Sequence, residues 1–69
     1  MKLQAIFWKE DDTYVIKEAA TGVTTQGHII EAALTNIKEA VSLYLDEMPD
    51  TKDTIENMDM VGALSVEIP

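Results

Sequence analysis

The chain contains neither cysteine nor arginine. Without cysteine there are no disulfides and no thiolate metal sites, so a fold this small must find its reinforcement elsewhere. Without arginine the basic complement is five lysines, set against thirteen Asp and Glu, for a formal charge of −8 at pH 7. Such a field repels phosphates and anionic lipid headgroups, which argues against direct nucleic-acid or membrane-surface binding and favours a basic protein partner. Nowhere does an apolar run approach the roughly 18 residues of a membrane span. The first residues, MKLQAIFWKEDD, are too soon acidic for a secretory signal, so a cytoplasmic location is expected.

Glycine and proline are also scarce, with three and two among 69 residues. That length makes a single domain over residues 1–69, which buries only about 60 % of the surface of its extended chain. With so modest a core, a homo-oligomer or a partner complex is the expected means of reinforcement.

The longest periodic stretch is His28 to Met48. Ile30, Ala33, Leu34, Ile37, Ala40, Val41, Tyr44, Leu45 and Met48 recur at i, i+3, i+4 spacing, which predicts one long helix with an apolar stripe. Glu31, Thr35, Lys38, Glu39, Ser42 and Asp46 occupy its wet side. Gly27 before it and Pro49 after it mark a loop and a stop. Neither His28 nor Ile29 is a good N-cap, leaving Thr25 or Gln26 as the nearest candidate.

Ahead of this helix, residues 2–9 put Leu3, Ala5 and Phe7 on one face of a strand, and Ile6 and Trp8 on the other. Glu10, Asp11, Asp12 and Thr13 form a polar turn, and Tyr14 to Lys17 returns as the second arm of a hairpin. Gly22 suits a positive φ, and Val23 to Gln26 reads as a third strand. After the helix, Pro49 to Asp59 is an acidic connector with room for a helical turn around Thr54 to Met58, capped by Asp50 or Thr51. Val61 to Ile68 alternates Leu64, Val66 and Ile68 against Ala63, Ser65 and Glu67, the pattern of a half-buried last strand. The expected fold is α+β, a small βββαβ sheet in spatial order 3-2-1-4 with the helix on one face. Leu34, Ile37, Val41 and Leu45 should then pack on Leu3, Phe7, Leu64 and Val66. The exposed last strand is an edge that invites self-pairing.

Few residues suggest chemistry of their own. His28 is the single histidine, with only Glu31 one turn away, so it reads as a polar residue at a helix start rather than a catalyst or ligand. A two-metal nuclease needs carboxylates from separate elements, whereas Glu10, Asp11 and Asp12 are consecutive in one turn. The acidic series from Asp46 to Asp59 lacks the glycine and ligand spacing of a calcium loop. Met48, Met58 and Met60 read as core or connector filler, and Tyr44 as a core aromatic. No catalytic residue, metal or cofactor is expected. A single helix leaves the other sheet face uncovered, and Ile6 and Trp8 lie on it.

The run TGVTTQGHIIEAALTNIKEAVSLYLDE, with Gly22, the Thr25-Gln26-Gly27 triplet, Glu31, Ala33, Asn36, Lys38, Glu39 and Ala40, resembles the N-terminal domain of HicB-like antitoxins. The acidic hairpin followed by Tyr14 resembles the first two strands of the same family. The resemblance implies a partial RNase H-like βββαβ fold that binds and masks a small, basic, mRNA-cleaving HicA-type toxin. In this chain Glu18, Ala19, Ala20 and Thr21 stand where the family has prolines, and Ile29 stands where it has a capping Thr or Ser. The DNA-binding domain of full-length family members has no counterpart up to Pro69, so the expectation is a short form. Ile6, Trp8, Glu10, Asp11 and Asp12 are the expected partner-binding residues. The alternative is a self-associating structural or protein-binding domain of the same fold with no toxin partner.

Overall fold

A computed structural model describes residues 2–69. The architecture is α+β, with elements in the order β1 (Ala5–Glu10), β2 (Thr13–Glu18), β3 (Thr24–Gly27), α1 (Ile30–Glu47) and α2 (Asp50–Asn57). The three strands form one antiparallel sheet in the order β1-β2-β3. β1 and β2 are joined by a two-residue turn closed by the Glu10–Thr13 pair. Asp11 takes φ 52° there, a left-handed conformation that Asp tolerates better than most residues. Between β2 and β3, Gly22 at φ 75° supplies the positive φ expected of it.

The register fixes which backbone groups are free. Ala19 N–H donates to the Gln4 carbonyl at 2.7 Å, so the even-numbered positions of β1 bond to β2. Ala5, Phe7 and Lys9 therefore turn their backbone N–H and C=O groups away from β2, towards the outer edge of the sheet. Among the described residues no strand pairs with that edge.

The helix covers one sheet face, and the core lies beneath it. Ile16 of β2 packs with Ala33, Ile37 and Val41, a row at i, i+4, i+8, and Leu3, Tyr14, Val23 and Leu45 close its margin. α1 lies over β2 and β3 but not over β1. Gly27 permits the close approach, because a Cβ there would stand 2.6 Å from the Ala33 nitrogen and 2.9 Å from the Ala32 Cβ. Gly27→Ala should accordingly cost about 1 to 3 kcal/mol in a denaturant melt, the usual effect of overpacking. A loss below about 0.5 kcal/mol would mean that α1 rides freely over β3.

Asn36 Nδ2 donates to the Gln26 carbonyl at 2.8 Å and Thr25 Oγ1 to the Ala33 carbonyl at 3.3 Å, tying α1 to β3. Neither Thr25 nor Gln26 caps the helix, whose N-cap Ile29 has no side-chain cap. The connector forms α2, longer than the single turn expected, with Pro49 at its N-cap instead of Asp50 or Thr51.

Two expectations are corrected. Residues 61–68 are not a strand, and Leu64, Val66 and Ile68 are exposed. The cause is the lateral position of α1: a parallel strand beside β1 would have neither face covered, whereas parallel strands are stable where both faces are buried. The fold is therefore βββα with a second short helix, and β1 and the shorter β3 are the two edge strands of the sheet. The same offset leaves Leu34 42 % exposed and Phe7 60 % exposed, so neither belongs to the core.

Candidate functional site

β1 is exposed along its whole length, unlike β2, whose Val15, Ile16 and Glu18 are buried. Its even-numbered side chains, Ile6, Trp8 and Glu10, project from the face opposite α1 because the odd positions share the Ile16 face. Ile6 is 52 % and Trp8 37 % exposed. The Trp8 indole N–H donates to Glu10 Oε1 at 3.0 Å, which holds a carboxylate beside the ring. Asp11 and Asp12 continue the strand as an exposed turn. The five residues expected to bind a partner thus lie in one line, apolar at one end and acidic at the other.

Beside this line, Val15 pairs with Trp8 on one side and Gln26 on the other, and it is buried although α1 lies on the opposite face. Lys17 pairs with Ile6. On the α1 side, Lys9 Nζ sits 5.7 Å from the Tyr14 ring centroid, a cation–π distance. Where α1 stops short of β1 an open groove of about 590 Å³ remains, lined by Leu3, Ala5, Leu34, Ile37, Lys38 and Ser42 among others.

Among the described residues no group of three or more His, Asp and Glu could hold a metal ion. His28 is exposed in the bend before α1. No helix among the described residues is long and apolar enough to cross a membrane.

Two residues matter more than their sequence context suggested. Phe7 faces the α1 side of the sheet, as alternation predicts, yet lies beyond the reach of the helix. Glu18 is fully buried: its Oε1 accepts from the Ala20 N–H at 3.0 Å and the Thr21 N–H at 2.7 Å, while Oε2 has no partner. Nothing in the sequence pattern marks Glu18, a charged residue at the end of a strand, as buried.

No curated protein and no solved structure matches the chain. One family model does, over residues 2–67, and with nearly the whole chain matched the protein belongs to that family, described as a family of unknown function, DUF7387.

Proposed function

We propose that this chain is an interaction module that binds and masks a small, basic, mRNA-cleaving toxin of the HicA type, in the cytoplasm where such a toxin acts. The observation that carries the reading is the continuous line of Ile6, Trp8, Glu10, Asp11 and Asp12 along one side of β1. Its apolar end supplies area and its acidic end supplies sign. On a chain of charge −8, that combination favours capture of a basic protein by electrostatic steering followed by burial of the indole. The resemblance to HicB-like antitoxins supports the choice of partner.

The test is an RNA-cleavage assay with a purified HicA-type toxin. Added chain should suppress cleavage, and RNA incubated with the chain and magnesium alone should stay intact. Trp8→Ala should weaken inhibition about 30-fold, the loss expected when a central aromatic anchor is truncated. Inhibition should also weaken as salt rises. A toxin equally active with and without a molar excess of chain would sink the reading.

A further inference from the structure

We propose that two copies of this chain join through β1, pairing antiparallel along the edge that β2 leaves free, with Phe7 of one copy opposite the partner's Phe7. The pairing does not depend on the toxin reading. Ala5, Phe7 and Lys9 direct their backbone groups outward, so a two-fold axis at Phe7 sets Phe7 against the partner's Phe7 and Ala5 against the partner's Lys9. Each such pair exchanges both hydrogen bonds, about six in all.

Side chains select the same register. With the axis at Phe7, Ile6 stands opposite the partner's Trp8, and the three large exposed residues of β1 all meet apolar partners. Moving the axis to Trp8 would set Phe7 against the partner's Lys9 and Ile6 against the partner's Glu10. Moving it to Ile6 would set Phe7 against the partner's Ala5 and Trp8 against the partner's Gln4. In the Phe7 register no like charges oppose one another, because Lys9 meets the partner's Ala5 and Glu10 the partner's Gln4. Charged residues that guard an edge occur only at the far end of β1, leaving its centre undefended. The product is a six-stranded sheet with both α1 helices on one side, and on the other a shared patch of two Ile6 and two Trp8 side chains.

Two measurements test this. In sedimentation at roughly 100 µM, where even a weak micromolar homodimer is populated, the wild-type chain should have twice its 7.7 kDa mass. Phe7→Pro should be monomeric with an unchanged circular dichroism spectrum, since the Phe7 N–H takes no bond within the sheet. The second measurement exploits the absence of cysteine: Ile6→Cys, Phe7→Cys, Trp8→Cys and Lys9→Cys are each oxidised in turn. Only Phe7→Cys brings two Cα atoms to about 5.5 Å, within disulfide range, so the covalent dimer should peak there. The scan decides the matter even if Phe7→Pro fails to fold.

A monomeric wild-type chain would overturn the proposal, and is the result expected if residues 61–68 occupy this edge in their own chain. A cross-link maximum elsewhere than Phe7 would also overturn it. So would a dimer that survives Phe7→Pro but dissociates in Val66→Pro, which would assign the interface to the C-terminal segment.

Discussion

Ile37→Ala should destabilise the chain by roughly 2 to 5 kcal/mol, and Leu34→Ala by less than about 1, although both lie on the apolar stripe of α1. Ile37 is 2 % exposed and packs with Ile16, Ala33 and Val41 in a cluster that has no second layer behind it. Removing its branched side chain leaves a cavity between sheet and helix, and the loss includes both the transfer free energy and the void. Small domains have total stabilities of only about 5 to 15 kcal/mol, so this one change should remove a large share of the whole. Leu34 lines the open groove between α1 and β1, already in contact with solvent, and its truncation opens no cavity. Urea melts of the two variants measure the contrast. Equal losses would place α1 nearer β1 than it lies here and would return the sheet to an arrangement able to hold a fourth strand.

That contrast also marks where reading the sequence succeeded and where it stopped. Alternation with period two placed Ile6 and Trp8 opposite Phe7, and the acidic turn made the hairpin legible, because both signals are local. The helix was legible for the same reason. Its sideways position was not, since nothing in a stripe of nine apolar residues says which strand each will touch. Leu34 and Ile37 look alike in sequence and differ only through the close approach that Gly27 allows over β3. Residues 61–68 carry an equally good strand pattern, but pattern describes what a segment can bury, and here no covered edge receives it. The line Ile6, Trp8, Glu10 could be read from spacing, whereas the exposure of Phe7 and the undefended edge followed from the placement of α1.

If both proposals hold, the edge and the face of β1 serve different partners. Pairing between copies uses outward backbone groups and brings Phe7 together on the α1 side. Trp8 and the acidic turn remain on the opposite side, where two copies would present a doubled surface to a basic partner. Trp8→Ala is therefore expected to impair toxin masking more than self-association, and Phe7→Pro the reverse.

Glu18→Ala should cost roughly 2 to 4 kcal/mol, the loss expected when an acceptor serving two amides disappears from a buried position. The link between β2 and β3 has no proline to restrict it, and Glu18 supplies the restraint instead. Its Oε1 gathers the Ala20 and Thr21 N–H groups, its backbone N–H donates to the Val23 carbonyl at 2.8 Å, and its carbonyl accepts from Gly22 at 3.0 Å. One residue thus closes the turn that brings β3 beside β2, and β3 in turn carries most of the contact with α1. Glu18→Gln retains the acceptor for both amides and puts an amide NH2 where the unpartnered oxygen stood, so it should lose less than Glu18→Ala. Denaturant melts of both variants, with amide hydrogen exchange at Ala20 and Thr21, separate the contributions. The two amides should lose protection in Glu18→Ala and keep it in Glu18→Gln. If both variants melt within about 0.5 kcal/mol of the wild-type chain and both amides stay protected, the turn is held by its backbone alone and the carboxyl is a passenger.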